Sequence, residues 1–213
     1  MKLNLNKLRN TLRNTLKDLW EYVIPIWKIS GLFKRINSKE DLENFIQERS
    51  AHVTQTTLYG YLKTRIGVKY IAMMEDEVFL KSINIAKWNI YMVALADCSF
   101  YVFSYLISEK NLKTNDCKEI FLNIIEKEKK NGLSEQIYNN GKKNFLERYE
   151  KVDFYKYHID NPFKNSGEAL YYWSPIADEL KTLDKKIVLN SISLKWGLAK
   201  NEFKKLTKEL NFS

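Results

Sequence analysis

The longest apolar stretch of the chain lies at residues 88–107, within a segment from 75 to 108 that contains no glycine or proline. Apart from tyrosine hydroxyls, the apolar stretch has four polar side chains, those of Asn89, Asp97, Ser99 and Ser104. Three acidic residues at 75–77 stand where negative charge is favourable, in the first turn of a helix. We therefore predict one long helix at 75–108, which must be buried because it is apolar on every side.

Two environments could bury such a helix, a bilayer or a protein core. About 20 apolar residues cross the hydrocarbon region, which is the length of residues 88–107. Asp97 lies near the middle, however, where a carboxylate costs ~2.5–3.5 kcal/mol on insertion scales, and a leucine-rich composition is lacking. The pattern favours a central helix of a soluble domain, with a transmembrane span as the alternative.

A second long helix is predicted at 39–66. Ser38 is a suitable N-cap, and Asp41 stands three residues later as a shorter replacement for the glutamate of a capping box. Gly67 is suited to ending the helix, because glycine tolerates the left-handed conformation common at that position. The middle of this helix is unusually polar, with His52 followed by a Thr-Gln-Thr-Thr run.

A third long helix is predicted at 174–210, starting at Ser174 and Pro175. Its aliphatic residues are spaced by three and four, which predicts a packing seam. The seam consists of Ile176, Leu180, Leu183, Ile187, Ser191, Leu194 and Leu198. Shorter amphipathic helices are predicted at 114–131 and 133–149, and an aromatic loop at 150–173. The fold class is all-α: a single domain formed by an irregular bundle of about six helices, built on 39–66, 75–108 and 174–210.

The first 27 residues predict a separable amphipathic helix. Leucines at 5, 8, 12, 16 and 19 recur at helical spacing, and Pro25 ends the pattern. Basic residues and a tryptophan accompany this stripe, namely Lys7, Arg9, Arg13, Lys17 and Trp20. Such a helix can dock on its own domain, lie on an anionic membrane surface or enter a groove of a protein partner.

The formal charge of +9 raises the question of a nucleic-acid partner. The chain contains 29 lysines and only six arginines, although arginine is the usual residue for bidentate recognition of phosphates and bases. Scattered, solvated lysines therefore explain the charge better than an RNA-binding or ribosome-binding face, which stays as a less favoured alternative.

The two cysteines, Cys98 and Cys117, lack the spacing of a redox or zinc motif. We expect two free thiols in a reducing cytoplasm. A cytoplasmic protein that is peripheral at the inner membrane is equally compatible with the first 27 residues.

Candidate chemistry centres on the predicted helices 39–66 and 75–108. A buried Asp97 could act as a general acid or base, or could be a structural residue hydrogen-bonded to a neighbouring helix. A small-molecule pocket between helices 39–66 and 75–108 is an alternative use of their polar side chains. Its predicted wall consists of Tyr59, Lys63, Asn84, Lys87 and Asp97.

We expect no metal and no cofactor. Residues 75–77 splay around a helix axis, and neither His52 nor His158 completes the Glu-x-x-His motif of a bundle di-iron site. Glycine-rich phosphate loops, nucleophile elbows and zincin motifs are missing from the sequence.

Residues 54–65, 75–79 and 82–88 resemble a family of alphaproteobacterial proteins without an assigned activity. The resemblance extends over about residues 45–105. It implies a small intracellular helical protein and transfers no catalytic residue.

The function expected from these observations is non-catalytic. We expect a helical protein that binds a protein partner or the inner membrane surface, through residues 1–27 or the aromatic segment 150–173. An enzyme or small-molecule binder is the competing class, and the sequence leaves the oligomeric state open.

Overall fold

The structure is a computed structural model that describes residues 35–210. The predicted helix at residues 1–27, with its basic side chains and Trp20, lies outside the described residues. The predicted all-α class is confirmed: the described chain contains helices and no strands. The helices are α1 Lys39–Ile66, α2 Tyr70–Met73, α3 Glu77–Lys110, α4 Cys117–Lys129, α5 Glu135–Tyr149, α6 Lys164–Trp173 and α7 Asp178–Leu206.

Helix α1 has the predicted bounds. Ser38 accepts a hydrogen bond from the Asp41 backbone N–H, and the Asp41 carboxylate accepts one from the Ser38 backbone, which completes the capping box. Gly67 follows the last turn with a φ of 60°, a value that residues with a Cβ rarely adopt. The local signals at both ends of this helix were therefore sufficient to predict it.

Helix α3 is the centre of the bundle, and α1, α4, α5 and α6 all pack against it. It begins two residues later than predicted, because Asp76 caps it by accepting from the Phe79 N–H at 2.8 Å. Length and composition alone would let it cross a membrane, but 83% of its most apolar 18-residue stretch is buried within the protein. That burial favours the core-helix interpretation.

Helix α5 runs unbroken through Asn139, Asn140 and Gly141. Gly141 is a point of close approach to α3. A Cβ at this position would lie 2.2 Å from the Cε atom of Met92 and 3.3 Å from its Cβ. The absence of a side chain lets α5 lie directly against the central helix.

The predictions for residues 150–173 and for the start of the last helix were wrong. Residues 164–173 form α6 instead of a loop, and α7 begins at Asp178 instead of residue 174. Ser174 does not cap α7: its hydroxyl donates to the Leu170 carbonyl at 2.6 Å and its N–H donates to the same oxygen, which closes α6. The Ser-Pro pair therefore joins two helices.

The predicted seam of α7 was also wrong, because the helix packs through a different face. The buried residues of α7 are Asp184, Val188, Ile192, Trp196, Ala199 and Phe203. Trp196 stacks on Phe163 with ring centroids 4.1 Å apart, and Phe203 lies 5.0 Å from Phe45 of α1. This aromatic face makes the contacts with α1 and α6. The aliphatic residues of the predicted seam from Leu180 to Leu198 face outward, whereas Ile176 packs against the core.

The described chain begins beside the end of α7. The Ile36 N–H donates to the Leu206 carbonyl at 3.4 Å, and Arg35 pairs with Glu209 at 2.8 Å. Residue 35 therefore lies next to the C-terminal end of the last helix.

Candidate functional site

Asp97 lies where α3 meets α5, α6 and the turns that precede α6, and its side chain is fully buried. Its Oδ2 atom accepts hydrogen bonds from the backbone N–H of Ser166 at 2.8 Å and from the Ser166 hydroxyl at 2.5 Å. Its Oδ1 atom accepts from the Arg148 guanidinium and lies 3.0 Å from the Tyr157 hydroxyl. The carboxylate thus has charged and neutral donors around both oxygens.

In this geometry Asp97 of α3 caps the N-terminal end of α6. Ser166 is in the first turn of α6, where N–H groups have no partner within the helix, and Phe163 at the N-cap position has no side-chain acceptor. Burial, followed by the charge of Asp97, raises the pKa of Tyr157 above its usual value. Tyr157 therefore stays protonated as a neutral donor, and the geometry fits the structural alternative for Asp97.

A cleft of about 370 Å³ opens next to this cluster. Arg148 and Tyr157 border it, together with Asn165 and charged residues of the 151–160 segment. The Nη2 atom of Arg148 and the Tyr157 hydroxyl are already engaged with Asp97, and the guanidinium also lies 4.9 Å from the centre of the Phe100 ring. Neither group is therefore poised as an acid or base toward a ligand in the cleft.

The other residues of the predicted pocket wall lie apart from Asp97. Tyr59 and Asn84 are half-buried, Lys63 is exposed and Lys87 is buried. The Asp97 carboxylate bonds to α5, α6 and the turns before α6, whereas α1 lies against a different side of α3. Asp97 thus belongs to a separate cluster from the α1-facing residues.

Two threonines in the polar middle of α1, Thr56 and Thr57, are satisfied within their own helix, whereas the buried Thr54 hydroxyl has no hydrogen-bond partner among the described residues. Thr56 donates to the His52 carbonyl at 2.8 Å, and Thr57 donates to the Val53 carbonyl at 2.6 Å. These bonds to the preceding turn remove the need for a polar partner on α3. The threonine run is consequently compatible with a packed helix.

A second buried carboxylate, Glu128 of α4, joins α1, α3 and α4. Its Oε1 atom accepts from Gln47 and from the Tyr91 hydroxyl, each at 2.8 Å, and its Oε2 atom accepts from Asn131 at 2.7 Å. Burial lowers the pKa of nearby Lys87 to about 8, and Glu128 partly opposes this shift. The sequence did not single out Glu128, because it lies in a segment of alternating charges typical of a solvated surface.

The outward face of α7 carries a row of exposed aliphatic side chains. Five large aliphatic side chains are exposed along it, with exposed fractions of 38% to 76%. They are Leu180, Leu183, Ile187, Leu194 and Leu198, which we call the α7 stripe. At ~1.5 Å per residue the stripe extends over about 27 Å. The sequence identified these residues but predicted that they face the core.

The two cysteines and His158 are buried side chains. Cys98 and Cys117 are free, buried thiols, and burial raises the pKa of Cys98 to about 12. His158 lies against Ser104, with its Nδ1 atom 3.0 Å from the Ser104 hydroxyl. Residues 35–210 contain no group of three or more His, Cys, Asp or Glu side chains arranged to hold a metal ion.

Comparison of the chain with protein families, with curated proteins and with solved structures finds no match.

Proposed function

We propose that this protein is a non-catalytic helical binding protein that recognises a protein partner through the α7 stripe. The observation that carries the proposal is the exposure of five aliphatic residues at spacings of three and four along one helix. Contiguous apolar patches on a folded surface mark interaction sites far more often than isolated apolar residues do. An amphipathic helix is the partner element that such a stripe fits.

The charges beside the stripe support a protein partner over an anionic membrane surface. At 100° per residue, Glu179, Lys186 and Lys204 project from one edge of the stripe. Lys195 projects from the other edge, where Glu202 pairs with Arg49 of α1 at 2.6 Å. Both signs therefore border the apolar residues. A membrane-surface helix is expected to carry lysine and arginine along its polar face and tryptophan or phenylalanine in its apolar face, and the stripe is purely aliphatic.

The buried acids support the absence of catalysis in this proposal. Asp97 and Glu128 each accept hydrogen bonds from at least three side-chain or backbone donors. A general acid or base needs geometric access to the proton that it transfers. A cytoplasmic location is part of the proposal, and the two buried thiols support it.

Site-specific photo-cross-linking in living cells tests this function. With p-benzoylphenylalanine in place of Leu194, we expect a covalent adduct to a protein that mass spectrometry identifies, and Ile187→Glu should abolish that adduct. The matched control carries the cross-linker in place of Lys143, an exposed residue of α5, and should give no adduct. Adducts only to lipid, or none at position 194, would contradict the proposal.

A further inference from the structure

We propose that the partner of the α7 stripe is a second copy of this chain, with the two α7 helices packed antiparallel around a two-fold axis beside Asn190 and Ser191. This inference rests on the proposed function, since it names the partner of that same surface. A two-fold interface uses the same patch on both copies, so the patch must be complementary to itself. The α7 stripe meets this condition in its spacing and in its charge.

The spacing of the outward residues is a palindrome. From Leu180 the positions on this face are 180, 183, 187, 190, 191, 194, 198 and 201, so the intervals are three, four, three, one, three, four and three. Reversing the helix direction returns the same series. An antiparallel copy can therefore place every position of the series opposite another one.

The matched positions are chemically suitable. Ile187 lies opposite Leu194 of the second copy, and Leu183 lies opposite Leu198, which gives four aliphatic pairs across the axis. Leu183, Ile187, Leu194 and Leu198 are also the most exposed members of the stripe, each at 60% or more. Dimerisation would remove from water the residues that the described fold leaves most accessible.

The polar centre of the stripe sets the alignment. Asn190 and Ser191 are exposed and interrupt the aliphatic series at its midpoint. The two-fold axis passes between residues 190 and 191, so each of these side chains lies beside its own copy on one side of the axis. Amide and hydroxyl groups can both donate and accept hydrogen bonds in such a pair. A shift along the helix would place Asn190 against a leucine, and a single buried asparagine is known to fix register in paired helices for this reason.

The charged edge of the stripe favours the antiparallel direction. Glu179 and Lys204 project from the same edge and are exposed. In the antiparallel dimer, Lys204 of the second copy lies within two residues of the position opposite Glu179, and symmetry repeats this pair. In a parallel dimer, Lys204 of the second copy would lie 25 residues from Glu179 along the helix direction, too far for the two charges to pair. Opposed helix dipoles add to the same preference.

Cysteine cross-linking of the full-length chain tests this arrangement, and the native cysteines are buried and do not interfere. Under mild oxidation we expect Ser191→Cys to form a disulfide-linked dimer, because the axis brings the two copies of position 191 together. Leu183→Cys is the matched control: its two copies would lie about 22 Å apart at ~1.5 Å per residue, so it should form no disulfide-linked dimer. Cross-linking by both variants would indicate a parallel dimer and overturn the proposal.

Mass measurement in solution provides the second readout. We expect the unmodified protein to show twice the chain mass of 25.3 kDa. Ile187→Glu should weaken dimerisation by at least about 100-fold, since each interface contains the change twice and each central contact is worth more than ~1.4 kcal/mol. An unchanged circular dichroism spectrum would show that this variant still folds.

Failure of this inference and failure of the proposed function give different results. A monomeric chain whose Leu194 photo-adduct contains another protein would overturn the dimer and keep the proposed function. A monomeric chain without a photo-adduct would overturn both. A chain that dimerises only after removal of residues 1–27 would show that its own N-terminal segment occupies the stripe, and it would also overturn the dimer.

Discussion

Helices α3 and α7 depart from the usual distribution of polar and apolar residues in opposite directions. Helix α3 buries an aspartate and a lysine among apolar neighbours, and α7 exposes a row of leucine and isoleucine. The aspartate buried on α3 has several partners: Asp97 binds Ser166, Arg148 and Tyr157. The apolar groups exposed on α7 are not covered by any element of residues 35–210.

This difference indicates where function is to be sought. A buried charge that is fully hydrogen-bonded contributes to the unique structure of the core, and its removal leaves its partners unpaired. An exposed aliphatic row contributes little to folding, so a binding role is the better explanation for it. Substitutions on the two helices should therefore separate stability from binding.

The largest effect is expected for Asp97→Ala. This change leaves the Arg148 charge and the N–H of Ser166 without their acceptor in a buried site, which costs ~3–5 kcal/mol of unfolding free energy. Urea denaturation measures this loss. Asp160→Ala, at an exposed position, is the control and should change stability by no more than about 0.5 kcal/mol. A loss below ~1 kcal/mol for Asp97→Ala would refute the capping role.

A smaller, pH-dependent effect is expected for Lys87→Met. Burial lowers the Lys87 pKa from 10.5 to about 8, so the unfolded chain binds more protons than the folded chain between these values. Stability contributed by this group therefore rises with pH across that interval. Below pH 8 the buried charge costs up to about 3 kcal/mol, so Lys87→Met should be the more stable protein at pH 7.

The stability difference between Lys87→Met and the unmodified protein should shrink as the pH rises from 8 toward 10.5. Urea denaturation at several pH values measures it, with Lys81→Met at an exposed position of α3 as the control. A difference that is independent of pH would show that the lysine charge is not the cause.

The smallest effect on folding is expected on the α7 stripe. At concentrations where the protein is monomeric, Leu194→Ala should change the unfolding free energy by no more than about 0.5 kcal/mol. Ile192→Val removes one buried methylene group two residues away and should cost ~0.5–1.5 kcal/mol. If the larger deletion at Leu194 proved the more destabilising, the stripe would be part of the core, and the contrast between the two helices would not hold.

Local signals explain which parts of the fold were predictable. The capping box of Ser38 and Asp41 and the Gly67 terminus define α1 without reference to the rest of the chain. The apolar composition of α3 likewise requires burial on all sides. These features depend on residues that are close in sequence, so the amino-acid pattern contains them.

The errors concern choices that depend on distant contacts. Helix α7 carries two apolar series at helical spacing, and periodicity cannot decide which one packs inward. The aromatic series packs inward because Phe163 stacks on Trp196 and Phe45 contacts Phe203. Because the Asp97 cap of α6 comes from a residue 69 positions earlier, segment 164–173 appeared to be a loop when its local residues were considered alone.

The cap supplied by Asp97 also has a consequence for the order of folding. Helix α6 is ten residues long, which is too short for a stable isolated helix in water, and its first turn depends on a carboxylate from α3. We therefore expect its structure to form only after α3 is in place and a long loop has closed, a step that carries an entropic cost. Formation of α6 is therefore expected late in folding, and it would indicate that the centre of the bundle has assembled.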